Sequence, residues 1–173
     1  MGNHWHFVVW PEADGQVSRF FRWLSLTHAV RWRVAHATVG DGHLYRGRFK
    51  SFPIRPGEPL LQVIRYVERN ALSAGLVSQA EDWPWGSLWA RDHGAEPLQR
   101  ILYPWPTPRP PDWTKWVNQT ITPKELQRLQ TSERRGRPYG DDAWILQTAA
   151  NLTLASTLRP EGRPRTAEAN RHV

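Results

Sequence analysis

His4 and His6 stand two residues apart in the run His4-Trp5-His6-Phe7-Val8-Val9-Trp10, which is rich in aromatic and β-branched side chains. Such a run predicts a strand, in which residues two apart project to one face. The two imidazoles would then lie side by side, a spacing that can chelate one divalent cation. Trp5 and Phe7 would point the other way, into packing. Tyr66 and Asn70 form a second pair, four apart in a segment where Leu60, Ile64 and Val67 recur at helical spacing. They share a face of a predicted helix. Tyr66 lies roughly a hundred degrees from the middle of the apolar stripe on a 3.6-residue wheel, so its phenol can be partly exposed.

Taken separately, the histidines fit an ordinary strand start, and Tyr66 fits a boundary tyrosine that packs its ring. Taken together they suggest one chemistry. Two imidazoles, with the Asn70 amide oxygen as third donor, can hold Mg2+ or Mn2+ and leave positions for water and a phosphate oxygen. The metal would polarise a phosphodiester, and Tyr66 would attack it to form a covalent phosphotyrosine link. Such a link conserves the phosphodiester energy, so rejoining needs no nucleotide. The sequence has no Gly-rich loop of the phosphate-cradling kind.

These residues need elements to position them. Gln16 to about Ala35 predicts a helix with one greasy and one basic side, carrying Phe20, Phe21, Leu24 and Leu26 among Arg19, Arg22, Arg31 and Arg33. Arg48 to Arg55 predicts a second strand, irregular at Pro53. Pro59 suits the first turn of a helix over Leu60 to Asn70. Glu68 falls on the side away from Tyr66 and Asn70 and is expected to be solvated or paired with an arginine. Asp82-Trp83-Pro84-Trp85-Gly86 is an aromatic turn, expected to serve as a structural plug. Tyr103 to Trp113 is crowded with proline and predicts an extended linker. Thr122 can cap a helix that carries Glu125 in its first turn. Glu133-Arg134-Arg135-Gly136-Arg137-Pro138 predicts a basic loop, and Asp141 to about Leu154 a helix.

The composition narrows the partner. Lys and Arg number 23 against 16 Asp and Glu among 173 residues, a formal net charge of +7. That balance favours a polyanion, through release of phosphate counterions. The chain has no cysteine, which excludes disulfides, zinc-thiolate sites and cysteine nucleophiles. No apolar run approaches the roughly 18–20 residues needed to cross a membrane. The first residues lack the basic region and cleavage site of a signal peptide.

Four stretches, in this order, carry a resemblance: Gly2 to Phe7; His43-Leu44-Tyr45-Arg46-Gly47-Arg48-Phe49-Lys50; Arg65 to Val77; and Asp82 to Leu88. The chain resembles the His-hydrophobe-His single-tyrosine transposases, and most of all the bacterial branch associated with repetitive extragenic palindromes. The match spans about residues 2–90. It implies His4 and His6 as the metal pair, Asn70 as the third ligand and Tyr66 as the nucleophile, with Mg2+ or Mn2+. It implies single-stranded or hairpin DNA as substrate, a 5'-phosphotyrosine intermediate, and a monomer or homodimer in the bacterial cytoplasm with the nucleoid. The fold it implies is α+β, a ferredoxin-like antiparallel sheet with packed helices. Here that sheet would lack the strands and helix that precede the His pair in the family.

The expected organisation is a catalytic domain at 1–94, a Pro/Trp-rich linker at 95–121, a small helical region at 122–158 and a basic disordered tail at 159–173. Charge adds Arg46, Arg48 and Lys50 as phosphate contacts. Arg137 and Arg163, in two Gly-Arg-Pro segments, are further DNA-binding candidates. The rival expectation is a relative that holds hairpin DNA without cutting it.

Overall fold

The computed structural model describes residues 4–94, 96–105 and 107–159. Arg163 and the rest of the expected tail lie outside them. The described residues form seven helices: α1 Gln16–Ala35, α2 Glu58–Ser73, α3 Ser87–His93, α4 Glu96–Ile101, α5 Trp113–Asn118, α6 Pro123–Arg135 and α7 Asp142–Asn151. There are also short 3-10 turns at Ala80–Asp82 and Ala155–Leu158. Local chemistry accounts for several boundaries. Pro59 sits in the first turn of α2. The Thr122 hydroxyl accepts from the Glu125 N–H at 3.3 Å, and the Asp141 carboxylate from the Trp144 N–H at 3.0 Å. Gly136 ends α6 in the left-handed region at φ 70°, where a side chain would also meet the Ser51 carbonyl at 3.3 Å.

The expected ferredoxin-like sheet is overturned. Helix makes up 55% of the structure and strand 1%, so among the described residues no sheet exists for the helices to cover. The one β feature among the described residues is an isolated parallel bridge between Ile54 and Tyr139. It is closed by Arg55 N–H to the Tyr139 carbonyl at 2.9 Å and Tyr139 N–H to the Pro53 carbonyl at 2.8 Å. The strand expected over Arg48 to Arg55 is reduced to that bridge; Pro53 has no N–H to extend a ladder. The run expected as a strand over His4 to Trp10 pairs with no ladder at all.

The fold is organised around α2, which buries two sides. On one side Leu61, Ile64 and Leu72 pack against Ala80, Leu88, Trp113 and Val117, with Trp105 and Trp116 at the margin. The proline-rich stretch therefore contributes Trp105 and Trp113 to a core. On the other side Val63, Tyr66 and Val67 pack with Leu129 of α6, Tyr139 and Ile54. Trp113 is 1% exposed, whereas Trp85 of the expected plug is 84% exposed. The buried member of that segment is Leu88, which follows it.

Two charged residues lie inside the first cluster. Arg65, 3% exposed, spends its guanidinium on the end of α5. Its Nε donates to the Trp116 carbonyl at 2.8 Å, and its Nη2 to the carbonyls of Gln119 at 2.7 Å and Thr120 at 3.2 Å. Nη1 stands 3.5 Å from the Glu125 carboxylate. Glu68, 6% exposed, corrects the expectation of a solvated residue. It accepts from Ser87 Oγ and from Trp113 Nε1, both at 2.7 Å. A carboxylate here replaces lost water with two neutral donors. Burial pushes its pKa up, against the opposing pull of those bonds and of Arg109 and Arg91. On α1, by contrast, Trp23, Leu26, Val30 and Val34 remain exposed. Leu26, Val30 and Val34 flank an open groove of about 710 Å3 against residues 39–45.

Arg65→Leu removes the donors that close the α5 carbonyls and leaves Glu125 facing them. It should cost about 3–5 kcal/mol in urea unfolding; a loss below 1 kcal/mol would remove Arg65 from this role. Glu68 holds its proton more tightly folded than unfolded. Its contribution is therefore complete below its ordinary value of 4.5 and is lost as pH rises through the higher folded-state value. Glu68→Gln can keep one acceptor for Trp113 and one donor for Ser87. Thermal unfolding between about pH 5 and pH 8 should show the variant gaining on the parent as pH rises. A pH-independent difference would contradict the assignment.

Candidate tyrosine–histidine site

The run from His4 to Trp10 passes between helices, and its alternation is kept without a sheet. Odd positions turn to the α1 side. Trp5 meets His28 and Tyr45 edge-on, each at 5.1 Å between ring centroids, and Phe7 meets Phe21 at 5.5 Å. His6 and Val8 turn to α2, while Trp10 stacks on Tyr103 at 6.2 Å. Val8 packs against the Val63, Leu129 and Tyr139 cluster, and His6 meets the Tyr66 ring at 5.8 Å. The His4 and His6 rings lie 5.0 Å apart at 89°. The alternation that predicted paired imidazoles is thus realised by two helical surfaces that want apolar cover, rather than by strand neighbours.

Tyr66 is fixed from below by the cluster around Val63 and Leu129. Its hydroxyl donates to Oε2 of Glu133, in the last turn of α6, at 3.3 Å. That is long for a phenol–carboxylate bond. The phenol pKa is pushed up to about 12, first by burial, then by the negative charge of Glu133 and the hydrogen bond to it. The same burial pushes His6 down, with Glu133 opposing and His4 assisting. His6 therefore favours the neutral form, whose ring nitrogen keeps a lone pair.

The structure thus brings together His4, His6 and Tyr66. Asn70 stands half-buried one turn along α2, with its backbone carbonyl accepting from the Ala74 N–H at 3.0 Å. Among the described residues no three His, Cys, Asp or Glu side chains converge as a metal cage. Arg46, Arg48 and Lys50 are exposed and enter no ion pair among the described residues. They follow Tyr45 in the chain. Arg137 is half-buried between Gly136 and Pro138.

Sequence reasoning missed Glu133. It was placed in a basic loop, yet α6 continues through Arg135. Gly136, in the C-cap position, was the available sign that the helix ran that far. The pair of Tyr45 and His28 was missed too: the Tyr45 hydroxyl is hydrogen-bonded to His28 Nδ1, and Trp5 packs on both rings. Only folding brings these two together, since they are 17 residues apart. No family model, curated protein or solved structure matches this chain.

Replacing Glu133 by Gln should lower the Tyr66 pKa from about 12 toward its ordinary value of 10 without reaching it, because burial remains. Ultraviolet titration of the metal-free chain, with Tyr66→Phe to assign the step, checks this. An unchanged Tyr66 titration would separate the two groups.

Proposed function

We propose that this protein cleaves and rejoins single-stranded or hairpin DNA through a covalent phosphotyrosine intermediate on Tyr66. The observation that carries the proposal is the meeting of Tyr66 with His6 and His4. One helix and one extended run, far apart in sequence, bring a phenol and two imidazoles close together. The net charge of +7 and the exposed cations at Arg46, Arg48 and Lys50 support a polyanionic substrate. The four ordered stretches resembling single-tyrosine transposases point the same way.

In this reading His4 and His6, with the Asn70 amide, hold Mg2+ or Mn2+. The ion supplies electrostatic polarisation of the scissile phosphate. The Tyr66 oxygen bonds to phosphorus while the bond from phosphorus to the 3' oxygen breaks. The phenol proton passes to water, and the departing 3' oxygen takes one from water and leaves as a hydroxyl. Reversal, with another 3' hydroxyl as attacker, restores the phosphodiester and frees Tyr66. The protein then works in the bacterial cytoplasm, beside DNA.

The decisive experiment mixes the purified chain with labelled single-stranded hairpins from its own genome and Mn2+ or Mg2+. A denaturing gel should show a protein–DNA adduct. Tyr66→Phe should abolish it while leaving hairpin affinity within about threefold, and His4→Ala/His6→Ala should reduce it at least about a hundredfold. Salt-dependent hairpin binding with no adduct under any metal would instead make the protein a DNA holder.

A further inference from the structure

We propose that Glu133 is the positioning residue for Tyr66, which makes α6 part of the DNA-cleaving site; this rests on the reading of Tyr66 as nucleophile. The geometry is the first support. Among the described residues, Glu133 is the side chain that takes the Tyr66 hydroxyl. The bond engages the phenol proton and leaves the oxygen lone pairs uncovered, so the atom that must reach phosphorus is held without being blocked. The ring already meets His6, so an anchored hydroxyl sets where that oxygen lies relative to the histidine pair.

The second support is the cost of placing a carboxylate there. Glu133 lies in the last turn of α6, where the helix dipole favours cations, and its neighbours Arg134 and Arg135 follow that rule. Helix stability alone would choose a third cation at this position. The third support is rigidity. α6 is capped by Thr122, buried through Leu129, stopped by Gly136 and tied to α2 through Glu125 and Arg65. Arg128 adds a bond to the Gly140 carbonyl at 2.9 Å and a stack over the Tyr139 ring at 5.1 Å. A carboxylate mounted on such an element can hold its partner to a fraction of an ångström. The long distance of 3.3 Å leaves room for the bond to shorten when substrate closes the site.

The test uses the full chain, Mn2+ and labelled hairpins from its own genome. It reads the single-turnover rate of adduct formation beside the hairpin Kd, for Glu133→Ala, Glu133→Gln and Tyr66→Phe. Glu133→Ala should slow the adduct about a hundredfold with the Kd within about twofold. Glu133→Gln keeps an acceptor oxygen and should recover to within about threefold of the parent. Glu133→Met, which fills the volume without an acceptor, replaces the alanine variant should that one not fold. A parent-like rate in the Ala or Met variant sinks the inference, and so does a glutamine variant as slow as alanine, since charge rather than the hydrogen bond would then matter. If Tyr66→Phe abolishes the adduct while Glu133→Ala does not, the inference alone falls. If Tyr66→Phe still forms the adduct, or the parent forms none, the nucleophile reading falls and takes the inference with it.

Discussion

A guanidinium can be buried only where several acceptors are brought to it, and Arg65 sets that requirement at the centre of the chain. Its partners are the carbonyls at the end of α5 and the carboxylate at the start of α6. Leaving such a group unpaired would cost several kcal/mol, more than most single interactions contribute. Meeting the demand therefore fixes where α5 ends, where α6 begins and how both lie on α2. Trp113 then reaches Glu68 as a consequence, because α5 can approach in only one orientation once its last carbonyls are committed.

With one side of α2 closed in this way, the other side is free to build a different environment. Val63 and Val67 make a floor, Leu129 and Tyr139 close it, and Tyr66 stands at its margin with the hydroxyl outward. Tyr139 is held in turn by its hydroxyl bond to Gln62 at 2.8 Å. The N-terminal run covers this margin with His6 and Val8 while committing Trp5 and Phe7 to α1. Two carboxylates on α6 thus have separate duties: Glu125 balances a buried cation, and Glu133 meets a half-buried phenol. The contrast follows from their places in the helix, one at the end that welcomes negative charge and one at the end that does not.

The helices were legible where local signals were complete. The apolar period and flanking turns gave α1; Pro59, Leu60, Ile64 and Val67 gave α2; Thr122 and Asp141 gave the starts of α6 and α7. The pairing of His4 with His6 was also legible, since any extended chain alternates its side chains. What covered that chain was not. Alternation reports two different surroundings on either hand and is silent on whether hydrogen-bonded neighbours or helices supply them, so a sheet was expected where none formed. Glu68 was expected to be solvated or paired with an arginine because a charged side chain in isolation belongs in water, and nothing local marked Arg65 as buried. Their partners come from the carbonyls, a serine and a tryptophan of later segments. Glu133 was hidden by its arginine neighbours, which made a helix end look like a basic loop.

The hydrogen bond from Tyr66 to Glu133 spans 67 residues, and that from Tyr139 to Gln62 spans 77. Helix α2 therefore leaves the ribosome with Val8, Phe52 and Ile54 of the preceding chain available to its second side, but long before Leu129 and Tyr139 exist. For the time needed to synthesise those residues, at roughly 5–20 residues per second, Val63, Val67 and the Tyr66 ring lack the cover of Leu129 and Tyr139. The loop that must close is long, and its entropy is recovered only when Leu129 and Tyr139 arrive together. A nascent chain of this protein thus carries a sticky, unfinished helix for several seconds. The contact between Tyr66 and Glu133 is therefore one of the last to form, since it waits for α6 to be made.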